Sequence, residues 1–252
     1  VQVAITYADS EGDGTLDVSL YRNGELLGSY SKGSLPEWAA GDNFAAVFGP
    51  RTYQNENPGG AIDALVDEAR IYNAALTEEQ ISDLSPVPPS DEFLVGQWTF
   101  NSGEGLTDST GNWGEIELKG ATVVDGQLDL SPGKYAVAGD YSGPTIAEKT
   151  LVAWVRMQSF DVRAGGPLAI GHLNKDQFDA ICFAERQAKR WMAGSTGWWR
   201  PEDVLDFDED LYGEIVTIEL LRYLRPEMKF TGVEELTRQI EIGLTKTRAW
   251  FA

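Results

Sequence analysis

Residues 85–92, SPVPPSDE, constrain the fold more than any other stretch, because Pro86, Pro88 and Pro89 fill three of four consecutive positions. Proline fixes its own φ and supplies no backbone donor, so neither a helix nor an inner sheet strand runs through such a stretch; it is read as an extended, semi-rigid linker. Regular structure must therefore form on either side of it.

Upstream, residues 1–84 carry strand and turn signals. VQVAITY alternates, ADSEGDGT is a Gly/Asp turn, LDVSLYRNGELLGSY holds two short strands around Asn23-Gly24, and FAAVFGPR follows. In ALTEEQISDL, Thr77 stands three before Gln80 with apolar residues at helical spacing, so a short capped helix closes this part. Downstream, across residues 93–204, FLVGQWTF, GEIELKG, GQLDLS, KYAVAG, KTLVAWVRM, GPLAIG and FDAICFAE are short alternating runs separated by turn residues. That spacing predicts a mainly β, antiparallel two-sheet sandwich. From residue 205 the pattern changes: EIVTIELLRYL reads as a strand. Val233, Leu236, Ile240, Leu244 and Phe251 then fall on one face of a long helix that Thr231 and Glu234 can cap. Residues 205–252 are thus a segment of another kind.

Charge narrows the partners. With 40 acidic against 20 basic residues and a formal charge of −20, the chain repels nucleic-acid backbones and anionic membranes. No apolar run is long enough to insert in a bilayer. Neutral ligands, cations and basic proteins remain. The single Cys182 cannot form an intramolecular disulfide and is expected as a small buried hydrophobe; the lone His172 offers neither a zinc site nor a Ser-His-Asp triad. The chain opens at Val1, without Met, inside a strand-like run, as expected of a fragment.

Rings and carboxylates supply the candidate sites. Trp98 and Trp154 lie within strand runs and are expected in the core, whereas Trp38, Trp113, Trp191, Trp198 and Trp199 lie outside the most regular runs. Structural packing is the preferred reading for each of these rings; the alternative is that they hold neutral sugars by stacking, with Arg190 and Arg200 near Trp191, Trp198 and Trp199 suited either to a carboxylated sugar or to ordinary surface pairing. Asp9, Glu11 and Asp13 alternate before Gly14 like the opening of a calcium loop, but loop position twelve is Leu20, so an acidic hairpin turn is the preferred reading. Asp63, Asp67 and Glu68 in AIDALVDEARIY lack the Glu-x-Asp-x-x-Glu pattern of sandwich glycoside hydrolases.

LYRNGELLGSY, FGPR and DEARIYNAALTEEQISDL resemble the second half of a laminin-G-like (concanavalin A-like) jelly roll, and LVGQWTFNSGEGLTDSTGN, GQLDL, TLVAWVRM and RWMAGSTGWWR resemble its first half. The order is inverted. The resemblance implies that an eight-residue linker, reaching at most about 27 Å, joins the halves into one permuted sandwich. The competing explanation is a window cut from a tandem array, with each half lacking its partner. The family also implies a structural Asp67-Glu68-x-Arg70 element, a possible calcium site at Asp108 and Asn112, an extracellular or cell-surface setting, and non-catalytic binding of carbohydrate or a matrix-like partner.

LDFDEDLYGE, LRPEMKF and GVEELTRQI closely resemble the carboxy-terminal end of riboflavin kinase, which implies riboflavin or FMN and ATP-Mg as ligands and a cytoplasmic origin for this segment. The family's Gly-Phe-Pro-Thr motif, which carries a magnesium ligand, has no counterpart upstream. Its catalytic glutamate, five residues before the position of Asp206, is replaced by Pro201, with Glu202 one residue out of register. Phosphoryl transfer needs base, metal and phosphate cradle together. An inactive kinase fragment fused to the sandwich, in a chimera, is therefore the alternative expectation.

Overall fold

The computed structural model describes residues 1–31, 33–54, 57–84, 93–101, 106–185 and 188–195. These fall in the first of two compact units, Val1–Phe207 and Asp208–Ala252. The linker at 85–92 and the segment from 205 onward lie outside the described residues.

Residues 1–84 form β1 (Gln2–Ala8), β2 (Asp17–Arg22), β3 (Glu25–Ser31), β4 (Phe44–Pro50), β5 (Thr52–Gln54), β6 (Asn57–Gly59), β7 (Ala64–Tyr72) and helix α1 (Glu78–Ser82). After the linker come β8 (Leu94–Trp98), β9 (Glu117–Lys119), β10 (Thr122–Val124), β11 (Gln127–Asp129), β12 (Tyr135–Ala138), β13 (Lys149–Met157), β14 (Gly165–His172), β15 (Phe178–Phe183) and β16 (Trp191–Ser195). Every strand pairing is antiparallel. The fold is a mainly β, concanavalin A-like sandwich.

One sheet runs β3-β2-β1-β13-β7, and the far edge of β7 is shared between β8, opposite Ala69 to Tyr72, and the β11-β10 hairpin, opposite Leu65 and Val66. The other sheet runs β16-β15-β14-β4-β12-β9. Strands from the two sides of the linker interleave in both. β13 fills the place between β1 and β7, pairing Ile5 with Leu151 and Leu151 with Ile71. β4 fills the place between β12 and β14, with Val47 opposite both Val137 and Ala169. Because β4 is buried along its whole length, it reads as a continuous apolar run, FAAVFGP.

The two sheets share one interior. Phe48 meets Trp98 and Phe100 edge to face at 5.3 and 5.8 Å, and Phe44 packs on Trp38, Trp113 and Tyr141. Val3, Ile5 and Tyr7 of β1 join Leu151, Ala153 and Val155 of β13 in the same cluster. Cys182 is buried, as expected.

A second, smaller cluster lies on the outer face of the first sheet: Ala4, Tyr21, Tyr72, Leu76, Ile81 and Val152, with Leu84 and Leu94 packed against it. Helix α1 covers it. Thr77 accepts from Gln80 N while the Gln80 side chain accepts from Thr77 N, a complete capping box. The Asn23-Gly24 turn has positive φ at both residues, 50° and 85°, as a type I′ hairpin requires. A Cβ on Gly24 would lie 2.8 Å from Ser82 Cα, so only glycine lets this turn approach the helix so closely.

One tryptophan departs from expectation, and another meets the packing reading without a regular strand to hold it. Trp154 lies on the outer face of β13, half-buried beneath the Arg70 guanidinium, 4.7 Å from its ring centroid. Trp38 is fully buried, although its segment makes only an isolated bridge to Ile146.

Candidate functional site

The turn after β8 brings Asp108 and Asn112 together. Asp108 is 2% exposed, and five donors converge on its carboxylate. Oδ1 accepts from Gln97 N at 2.8 Å and Thr110 N at 3.1 Å; Oδ2 accepts from Thr110 Oγ1 at 2.6 Å, Asn112 N at 2.9 Å and Trp113 N at 3.2 Å. Asn112 Nδ2 donates to Val95 O at 3.2 Å and to Thr110 Oγ1 at 3.0 Å. A calcium ion needs oxygens with free lone pairs turned toward it, whereas these carboxylate oxygens face N–H and O–H dipoles. The donor set fits an anchor that ties the turn to β8, and it does not fit calcium. Trp113 also donates to Val95 O at 2.9 Å and packs at 4.5 Å on Tyr141, whose phenol is pushed above its ordinary range by burial and by the Asp108 charge.

At one end of the sandwich a charged pair crosses the interior. Lys149 of β13 and Asp179 of β15, both 0% exposed, meet at 3.2 Å between Nζ and Oδ2. Lys149 also donates to Ala147 O at 2.7 Å and Pro36 O at 3.2 Å, and its ammonium lies 5.2 Å from the Tyr7 ring centroid. Trp38 Nε1 donates to Asp179 Oδ2 at 3.1 Å, and Tyr7 donates its hydroxyl to Gly194 O at 2.9 Å. Among the described residues Asp179 Oδ1 has no hydrogen-bond partner. Burial pushes the Lys149 ammonium below its ordinary pKa, with the Asp179 charge pulling the other way. Sealed from solvent, the pair joins sheets and cannot meet a substrate. Sequence reasoning did not single it out; the signal was a lysine opening the apolar run KTLVAWV and an aspartate inside FDAICF.

Glu68 and Arg70 form the structural element that the laminin-G-like resemblance implies. Arg70 Nε meets Glu68 Oε1 at 2.6 Å, Gln97 Nε2 donates to the same oxygen at 2.7 Å, and Arg70 donates to Tyr72 Oη at 3.3 Å. Glu68 is thereby ion-paired and buried. Asp67 occupies the bulge between its neighbours' pairings with Trp154 and Val155, exposed, and accepts from Gln127 Nε2 at 3.3 Å.

The ligand candidates divide. Trp191 is 9% exposed on β16, with its ring 4.9 Å from that of Phe183, so it serves the interior. Arg190, half-buried, accepts at its backbone oxygen from Ala184 N at 2.7 Å. Trp198, Trp199 and Arg200 lie outside the described residues, as do Pro201, Glu202 and Asp206. Trp113, like Trp38, is buried. Phe160, 40% exposed and packed at 6.1 Å on Phe183, is an exposed ring that sequence reasoning passed over.

The acidic turn is closed on itself: Asp9 Oδ2 accepts from Gly14 N at 3.0 Å and Asp13 Oδ1 from Thr15 N at 2.7 Å. His172 is buried against Trp38, with Nδ1 2.9 Å from Asn43 O. Among the described residues no three His, Cys, Asp or Glu side chains form a metal-binding group. A shallow cleft of about 610 Å³ between the β2–β3 turn and α1 is lined by Asn23, Gly24, Glu25, Glu78, Glu79 and Ser82.

Residues 1–82 match the concanavalin A-like lectin/glucanases superfamily. Residues 202–251 match riboflavin kinase. The chain is similar to the bifunctional riboflavin kinase/FMN adenylyltransferase of Listeria monocytogenes, 47% identical over 49 residues, which is 19% of this chain and 16% of that protein. It is also similar to the Bacillus subtilis protein of the same name, 30% identical over 135 residues, 51% of this chain and 40% of that protein. The chain thus spans less than half the length of these curated relatives. No solved structure matches it.

Proposed function

We propose that the sandwich is a non-catalytic recognition module for a neutral or carboxylated carbohydrate or a matrix-like ligand, working outside the cell or at its surface. The observation that carries this reading is the burial of Glu68 against Arg70 in a sandwich whose first 82 residues match the lectin/glucanase superfamily. A general acid or nucleophile for glycoside hydrolysis must reach the scissile bond. Glu68, set in the strand nearest in kind to a hydrolase motif, is instead tied between Arg70 and Gln97. Trp198, Trp199 and Arg200, just beyond β16 in sequence, are the proposed ligand contacts, with Arg190, just before β16, as a further candidate and Trp191 as packing support. The proposal gives calcium no part in binding.

A glycan array probed with the full chain tests this, with and without a calcium chelator. Binding is expected in both conditions, and the W198A/W199A variant is expected to lose it by tenfold or more. Unchanged binding by the variant removes those residues, and no binding to any glycan removes the reading.

A second reading is favoured by the Bacillus subtilis match, which at 135 residues is longer than the 202–251 segment. Under it the chain retains part of a riboflavin kinase and binds riboflavin or FMN, together with ATP-Mg. Titration by quenching of flavin fluorescence, followed by an assay for FMN formation, separates the two. Our reading expects neither quenching nor turnover.

A further inference from the structure

We propose that residues 1–84 and 93–195 are separable partners that recognise each other without a covalent connection, so that the second segment of one copy can complete the first segment of another. Six of the thirteen strand ladders join the two segments: β1 with β13, β7 with β8, β11 and β13, and β4 with β12 and β14. The remaining seven lie within one segment. The joining ladders are the central ones. Within its own segment β4 has no ladder, β7 has none, and across the linker β8 and β13 have none.

Each segment alone therefore presents unpaired strand edges on both sides of a vacant place, and the matching strand lies in the other segment. This is recognition by strand addition, with main-chain bonds for affinity and inward side chains for register. The inward groups are specific as well as apolar. Asp179 and Lys149 of the second segment are met by Trp38 Nε1, Pro36 O and the Tyr7 ring of the first, and Tyr7 donates back to Gly194 O.

The ladders and inward groups that carry this recognition all belong to residues 1–84 and 93–195. Leu84, just before the linker, and Leu94, just after it, pack on the same outer cluster. The linker's eight residues act by raising the effective concentration of one segment at the other, to the millimolar range typical of short tethers. When the tether is cut, recognition remains. When copies are mixed as they fold, reciprocal exchange gives a closed two-fold pair with the same ladders.

The test uses the full chain with residues 86–91 replaced by a site-specific protease sequence, cut after folding. Gel filtration with light scattering is expected to give one species of unchanged mass, separating into its two pieces only in denaturant. Two separate species, or aggregation on cutting, overturns the proposal. Exchange is read by mixing cut protein tagged at Val1 with cut untagged protein labelled with 15N, unfolding both in urea, refolding together, and capturing the tag. About half of the captured second segment is expected to carry 15N. Its absence, or failure of the pieces to rejoin, overturns exchange.

Discussion

Replacing Asp179 by alanine would leave the Lys149 ammonium in the interior with the Ala147 and Pro36 carbonyls, the Tyr7 ring and the charge of neighbouring Glu148. Removing one member of a buried ion pair typically costs about 3–5 kcal/mol, because the other keeps its desolvation penalty. D179A is therefore expected to lower the urea midpoint sharply, and K149M/D179L to recover much of the loss. Equal loss in both variants would contradict this. Lys149 also sets a pH dependence: its folded pKa lies below the ordinary 10.5, so the unfolded chain binds that proton more tightly. Its contribution to stability consequently rises with pH through the window between the folded value and 10.5. Asp129 works at the acid end. Burial alone would raise its pKa, but hydrogen bonds from Ser131 and Lys134 outweigh that and hold it below 3.8. The stability it supplies is present above 3.8 and is lost as pH falls through the folded value. D129N should flatten the fall in urea midpoint between about pH 5 and pH 2 relative to the parent; an unchanged slope would show that Asp129 contributes nothing.

Helix α1 is only five residues long, too short to persist without its cap and its apolar cover. T77A removes the acceptor for Gln80 N and is expected to cost about 1 kcal/mol, with a fall in Tm of about 2–4 °C for a unit of this size. No change in Tm would show that Ile81 alone holds the helix. This element was legible in the sequence, because a capping box is a matter of spacing within one turn. The Asn23-Gly24 hairpin was legible for the same reason, and the Asp67-Glu68-x-Arg70 element through its run of residue types. For Trp38 packing was the preferred reading but its cover was not legible, since that comes from Phe44 and His172, neither of which a local pattern can place. Trp154 misled because strand alternation assigns sides without saying which side is the interior. Here the outer side is itself covered, by Arg70 over the ring and by the outer apolar cluster on which Trp154 packs. Asp108 read as a metal ligand because its type and position suit one, while the five donors that surround it come largely from backbone N–H groups that the sequence does not display.

At the scale of the sandwich, strand-like runs on both sides of the linker were readable, but the identity of the strand filling each vacant place was not. Pairing across a linker depends on tertiary register, and several apolar runs of similar length could have filled it. The structure assigns β13 to the first sheet and β4 to the second, so neither half holds a complete sheet. The proposed binding function rests on this joint interior, because a half-sandwich with unpaired central strands could not hold a binding face in place. Long-range nuclear Overhauser effects in the uniformly labelled full chain test the joint interior most directly. The account predicts cross-strand contacts from Ile5 to Leu151 and from Ile71 to Leu151 in the same spectrum as those from Ile5 to Leu20. Contacts from Ile5 to Leu20 with none to Leu151 would contradict it.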